Sequence, residues 1–185
     1  MSEQRLFCAL VPPAVVRSEL EALFSSLPGV QWTPTENLHL TLRFIGNCDA
    51  GRQEALAVAL SRVRVEPFIL PVGGVGLFPT RGPAKVLWAG VGRAHTRLFQ
   101  LRKQVDEALL SVDPGIDVHS FLPHFTLGRI TADYDSRALA AYLVKSGSFE
   151  APPFRVDCFQ LMASQLRTGH PPFYKTVQSF PLTDA

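Results

Sequence analysis

Two four-residue stretches carry acid–base side chains in the same order: His39-Leu40-Thr41-Leu42 and His124-Phe125-Thr126-Leu127. An imidazole with a pKa of about 6.5 serves near neutrality as an acid in one protonation state and a base in the other. A threonine hydroxyl donates hydrogen bonds to phosphoryl oxygens without help from a metal. The chain has five histidines and ten threonines. Random placement at this composition gives only about 0.06 matches to His-apolar-Thr-apolar. Two are present. Alternation within strands raises that background, yet the excess still favours a functional reading over coincidence.

Both stretches alternate and read as strands, Leu38 to Ile45 and His124 to Ile130. Along a strand, residues two apart share a face at about 6.6 Å. His39 and Thr41 therefore share one face, with Leu40 and Leu42 anchoring the strand from behind; His124 and Thr126 repeat the arrangement. Facing each other across a cleft, they offer two imidazoles and two hydroxyls to one small target. By the same alternation Arg43 is in phase with His39 and Thr41, facing either a phosphate or solvent, and Arg129 falls on the wrong face. A bulge near Gly128 would bring Arg129 round, since glycine inside a strand often marks one.

Around these strands, Arg5 to Pro12 reads as a strand and Ala14 to Leu27 as a helix. Asn47 and Asp49 offer caps for a helix reaching about Val63, and Thr96 to Val112 is a third helix with Leu98, Leu101, Val105 and Leu109 inward. Ser136 to Gly147 is a short helix closed by its glycine. Phe154 to Leu166 and Tyr174 to Leu182 read as a final pair of strands. Several neighbouring strands have connections too short for a parallel crossover, which favours an α+β fold over a doubly wound parallel one. The motif strands lie 85 residues apart with helices around each, a loose internal duplication. No boundary divides residues 1–185, so one domain is expected.

Composition narrows the function. Of 185 residues, 46% are hydrophobic and 18% charged, ordinary for a globular protein. A net charge of +2 does not suit a protein that coats duplex nucleic acid, but it permits a local positive pocket for one or two phosphates. The first residues lack the pattern of a signal peptide, and no apolar run reaches the roughly 18 residues of a membrane span. Cys8, Cys48 and Cys158 read as buried thiols of a reducing compartment, so a cytoplasmic protein that avoids membranes is expected.

With its paired His-x-Thr-x motifs, the chain resembles the two-histidine (2H) phosphoesterases, and among them the RNA 2′,3′-cyclic phosphodiesterases formerly called 2′–5′ RNA ligases. The flanking segments "RLFCAL", "WTPTENLHLTLRFIGN", "GGVGLFP", "KVLWAGV", "PHFTLGRI" and "SQLRTGHPPFY" extend the resemblance through nearly the whole chain. The resemblance implies a bilobal fold of two pseudo-symmetric, mainly antiparallel halves with flanking helices around a central cleft, the motif strands in opposite lobes. It implies hydrolysis of an RNA 2′,3′-cyclic phosphate end, or of a small cyclic nucleotide, to a 2′-phosphomonoester with no metal or other cofactor, and possible reversal to a 2′–5′ linkage. Carried over by position, His39 is the proton donor to the departing 3′ oxygen, His124 the base that activates water, and Thr41 and Thr126 the ligands of the phosphoryl oxygens. The resemblance also places Arg129 at the substrate. Arg43 stands where this group often has lysine. The protein is expected to act as a monomer.

Phe7, Phe44 and Tyr174 are candidates to stack on a terminal base, set against ordinary core packing; Tyr174 alone carries a polar handle. His95 and His119 read as surface or loop residues, and His170 is placed near the cleft without a catalytic role. "GGVGLFP" lacks the lysine and helix of a phosphate loop and reads as a bend. No H-E-x-x-H helix or paired cysteines accompany the histidines, which speaks against zinc. A non-catalytic binder of RNA ends is the alternative, separated from an enzyme by turnover.

Overall fold

A computed structural model describes residues 3–92, 96–117, 119–167 and 170–183, without the side chains of residues 166, 167, 170 and 171. His95 lies outside the described residues, as does the side chain of His170. The elements run β1 (Gln4–Leu10), α1 (Ala14–Glu21), β2 (Val30–Trp32), a 3-10 turn (Thr35–Asn37), β3 (Leu40–Cys48), α2 (Ala50–Leu60), β4 (Phe68–Gly73), β5 (Val75–Phe78) and β6 (Val86–Gly90). They continue with α3 (Thr96–Val112), β7 (His124–Ile130), α4 (Ser136–Ser146), β8 (Glu150–Val156), β9 (Cys158–Arg167) and β10 (His170–Pro181).

Local chemistry accounts for the helix limits. Asp49 caps α2 by accepting from the Arg52 amide, and Asp135 caps α4 by accepting from the amides of Arg137 and Ala138. In α3, Leu98, Leu101, Val105 and Leu109 are fully buried at helical spacing, each contributing roughly 2 kcal/mol of transfer free energy. The first helix stops at Glu21, short of the expected Leu27, because residues 22–29 turn ahead of β2. That three-residue strand was not foreseen.

Eight strands form one antiparallel sheet in the order β10-β9-β1-β3-β7-β6-β5, with β2 also paired to β7. A second sheet holds β4 and β8 alone. The expected single strand from Phe154 is therefore two, broken at Asp157, with β8 and β9 serving different sheets. Strong alternation on both sides of Asp157 conceals the break.

The duplication is visible in this order. Counting outward from the β3–β7 centre, β1 answers β6 and β9 answers β5. In chain order β1, β3, β4 and β5 correspond to β6, β7, β8 and β9. Each repeat thus gives its last strand to the other: β5 pairs with β6, and β9 with β1. The β4–β8 sheet joins equivalent strands of both repeats. Helices cross over too, with α3 packing against α2 and β3, and α1 against β8. Leu6, Cys8, Leu10, Leu40, Leu42, Phe125 and Leu127 fill the core beneath the helices. Phe7, Ala9 and Met162 form a smaller cluster on the opposite face of the sheet, with Val11 and Tyr174 packed against it. Among the described residues no helix is long and apolar enough to cross a membrane.

Gly128 is required by β2. A Cβ there would stand 2.9 Å from the Gln31 carbonyl oxygen and 2.9 Å from a Val30 methyl. Gly128→Ala is expected to destabilise the fold by about 1–3 kcal/mol. Gly51→Ala in α2, whose new methyl would meet only Asp49 Oδ1 at 3.6 Å, is expected to be neutral or stabilising. Urea unfolding of both variants measures the difference.

Candidate active site

The motif strands meet at one residue pair, Leu40 opposite Phe125, in antiparallel register. Extended one residue each way, this register sets Thr41 opposite His124 and Thr126 opposite His39. Each imidazole then has one threonine on its own strand and the other across the strand gap. The two histidine Cα atoms are on the order of 8 Å apart in such a lattice, leaving room for one phosphoryl group between the rings.

Both rings are oriented by the same device. His39 Nδ1–H donates to the Asn37 carbonyl at 2.6 Å, and His124 Nδ1–H donates to the Leu122 carbonyl at 2.7 Å. A carbonyl only accepts, so in each neutral ring Nδ1 carries the hydrogen and Nε2 is left as the base. His39 Nε2 lies 3.1 Å from Thr41 Oγ1. Asn37, almost fully buried, is itself held by its side-chain amide donating to the Pro172 carbonyl at 2.8 Å.

Aromatic rings wall in each imidazole. His39 packs against Phe7 and Tyr174 at centroid distances of 5.0 and 5.1 Å. His124 meets the edge of Phe78 at 5.0 Å. Burial lowers the pKa of both histidines below the usual imidazole value; the carbonyl bonds oppose this, and for His39 a charge on His124 lowers it further.

The arginines show where simple alternation fails. Partners across β1 and β3 run Ala9 with Thr41, Cys8 with Arg43 and Phe7 with Phe44, leaving Leu42 as an extra residue. Because of that bulge, Arg43 joins Cys8 on the core side rather than Thr41 on the cleft side. There its Nε and Nη2 donate to the two oxygens of Asp106 at 2.7 and 2.8 Å, and Nη1 donates to the Asp117 carbonyl at 2.7 Å. At 4% exposure Arg43 is neither a solvated strand end nor in phase with His39 and Thr41. Its position is a correction to the alternation reading.

The second motif has the same bulge. Trp88 pairs with Thr126, Leu87 with Gly128 and Val86 with Arg129, so Leu127 is the extra residue. Gly128 takes the core position that Arg43 has in the first repeat, and Arg129 takes the cleft position of Phe44. The bulge anticipated near Gly128 thus sets Arg129 in the phase of His124 and Thr126. Burial pushes the Tyr174 phenol up while the charges of Arg129 and Arg5 pull it back, which sets both guanidiniums near the phenol that packs on His39. Arg5 was not among the sequence candidates; its place on β1 two residues from Phe7 was the available signal. Phe44 is 62% exposed beside Phe7, whereas Phe7 is buried in the small cluster. His119 pairs with Asp117 at 2.7 Å. Among the described residues no three His, Cys, Asp or Glu side chains converge as a metal-ligand set would.

With this fold and paired-motif geometry, comparison with known proteins places the chain in a family. The model for LigT-like phosphoesterases matches residues 10–88 and again 91–173, one motif in each segment. The chain belongs to the LigT-like phosphoesterase family. Among its relatives, the RNA 2′,3′-cyclic phosphodiesterase of Aeropyrum pernix is 34% identical over 77% of this chain and 80% of that protein. The protein of the same name from Archaeoglobus fulgidus is 31% identical over 95% of this chain and 99% of that protein. One from Geobacillus stearothermophilus is 31% identical over 87% of this chain, which spans only about half (50%) of that relative's length. Among solved structures, a Thermus thermophilus protein, TT0787, superposes with a TM-score of 0.81 at 26% identity, covering 97% of this chain and 98% of that one. Apo LigT of E. coli shares the fold, with a TM-score of 0.80 at 24% identity over the whole of both chains.

The lowered imidazole pKa values carry a stability consequence. The unfolded chain binds protons more readily than the folded one below about pH 6.5, so stability is full above that value and falls as pH drops through the imidazole range. His39→Gln, which removes the more crowded ring, is expected to flatten this acid limb. Thermal midpoints of both proteins from pH 8 to pH 5 measure it; parallel curves would refute the assignment.

Proposed function

We propose that the protein hydrolyses 2′,3′-cyclic phosphate ends of RNA to 2′-phosphomonoesters, using His39 as acid and His124 as base without a metal. The observation that carries this reading is the pair of imidazoles on antiparallel strands, each with Nδ1–H tied to a carbonyl two residues upstream and Nε2 available to the cleft. The names of the relatives support the same substrate class.

In the proposed step, water attacks phosphorus and passes a proton to His124 Nε2. The P–O3′ bond breaks as His39 gives its Nε2 proton to O3′, leaving the phosphate on O2′. Attack and departure lie roughly in line, which requires the two groups on opposite sides of phosphorus. Thr41 and Thr126 donate to the non-bridging oxygens, and in the free protein Thr41 rests against His39 Nε2. Arg129 adds charge at the rim, and Tyr174 holds the His39 ring from its edge. Arg43 acts through Asp106, fixing α3 against the strand that carries His39 and Thr41. With a 5′ hydroxyl attacking phosphorus in place of water, the same steps break P–O3′ and leave a 2′–5′ linkage. The site draws on both repeats, so residues 1–185 act as one domain and a monomer suffices.

Single-turnover hydrolysis of a cyclic-phosphate oligonucleotide tests the assignment. His39→Ala and His124→Ala are each expected to lose about 10²–10⁴ in rate. The double variant should lose far less than the product of the two, because both serve one step. Thr41→Ala and Thr126→Ala are expected to lose less than either histidine variant. Chelator should leave the rate unaltered, and the product should carry its phosphate on O2′. A folded His124→Ala protein with near wild-type turnover would overturn the mechanism. Tight binding of the oligonucleotide without turnover would leave a binder of RNA ends instead.

A further inference from the structure

Beyond the Leu40–Phe125 pair no further pairing joins β3 to β7 among the described residues, and a cleft of about 570 Å³ opens there between β3 and residues 115–117 and 119–122. Thr41 and His124 are among its lining residues, so it is continuous with the proposed catalytic groups. Its walls are apolar: Phe121 lines it, and Phe44 and Leu122, 62% and 60% exposed, flank the mouth.

The charge of this cleft is unbalanced. Arg43 and Arg102, both nearly buried, share the single carboxylate of Asp106. Two guanidiniums on one carboxylate leave a positive charge in a poorly solvated place, where an unpaired charge is costly. Arg102 is further underserved: its Nε is shielded from solvent and has no hydrogen-bond acceptor, and the Phe121 ring lies 5.3 Å from its guanidinium carbon. The other carboxylate lining the cleft, that of Asp117, is largely exposed, pairs with His119 Nε2 and offsets part of the charge of Arg43. Arg5 adds a third guanidinium at the rim.

From this we infer that the cleft is a subsite for a second phosphate, the one on the 5′ oxygen of the terminal nucleoside whose cyclic phosphate reacts. The inference rests on the proposed function and names a further part of its substrate. A group with a phosphate one ribose from the reacting phosphorus meets excess positive charge on the floor and apolar walls for the nucleoside between. Arg102 and Arg5 supply the charge; Arg43, with each of its three guanidinium nitrogens hydrogen-bonded, holds the floor in place. Charge-assisted bonds of guanidinium to phosphate are the strong kind, and low local polarity strengthens them. The protein would therefore read an RNA end by two phosphates at once, and discriminate against nucleoside cyclic phosphates that lack the second.

The test compares adenosine 2′,3′-cyclic phosphate with its 5′-phosphorylated form as substrates of the whole chain. The 5′-phosphorylated compound is expected to show a kcat/KM at least about 10-fold higher, and the preference should shrink as salt rises. Arg102→Gln should bring the ratio towards one. Because that buried variant risks misfolding, Arg5→Gln at the exposed rim is the second variant, expected to lower the ratio in a protein whose circular dichroism matches wild type. Equal kcat/KM for the two compounds in the wild-type protein would overturn the subsite while leaving the hydrolytic function standing. A ratio unmoved in both folded variants would overturn the assignment to these arginines. Turnover of neither compound, nor of the oligonucleotide, would instead defeat the function on which the subsite rests.

Discussion

The antiparallel contact between Leu40 and Phe125 is the constraint on which the site depends. It places the pseudo-twofold axis, and the axis decides that each histidine faces the other repeat's threonine. A slip of one residue would turn both histidine–threonine faces towards the core, because strand side chains alternate with a period of two. The apolar partners of the motif prevent that slip. Leu40, Leu42, Phe125 and Leu127 are fully or almost fully buried, and exchanging them for His39, Thr41, His124 and Thr126 would bury polar groups without partners. Packing beneath the sheet therefore fixes the chemistry above it.

A second layer of control comes from the backbone carbonyls of Asn37 and Leu122. Both belong to segments just before their strands, and both turn a ring that has two possible tautomers into one with a single exposed base nitrogen. The Asn37 amide bond to Pro172 extends this support to the strand at the sheet's edge. On the core side, the Arg43–Asp106–Arg102 cluster ties α3 to β3 through charge in addition to apolar contact. Such a cluster is an expensive way to hold a helix, since removing its one carboxylate would strand two buried cations.

Much of this was legible in the sequence. The helix from Thr96 to Val112 and the strand from His124 to Ile130 coincide with the structure because their apolar periods are clean and their limits are marked. The four motif residues were found because their types, order and repetition are chemical information. Phase along the strand was not so readable. One extra residue after each threonine moves Arg43 off the cleft face and brings Arg129 onto it, and a bulge has no signature in a run of leucines and arginines. Gly128 hinted at it in one repeat; nothing did in the other. The division of Phe154 to Leu166 between two sheets was hidden for a related reason. Alternation reports that a segment is half-buried, not which neighbour it pairs with. Arg5, Asp106 and Arg102 escaped notice because their roles come from contacts between residues far apart in the chain.

The exchange of last strands between repeats has a consequence for how the two motifs are free to differ. Two separate copies of one repeat, assembled with the same exchange, would form a symmetric dimer with the reaction centre on its axis. Every feature of such a dimer would occur twice and identically: a buried arginine in one copy would require the same arginine in the other, and the two motif histidines would have the same surroundings. A single chain lifts that obligation. Arg43 answers Gly128 and Phe44 answers Arg129 across the axis, so one rim offers a ring and the other a charge. Covalent continuity is thus what lets a twofold scaffold present two unlike rims to one cleft.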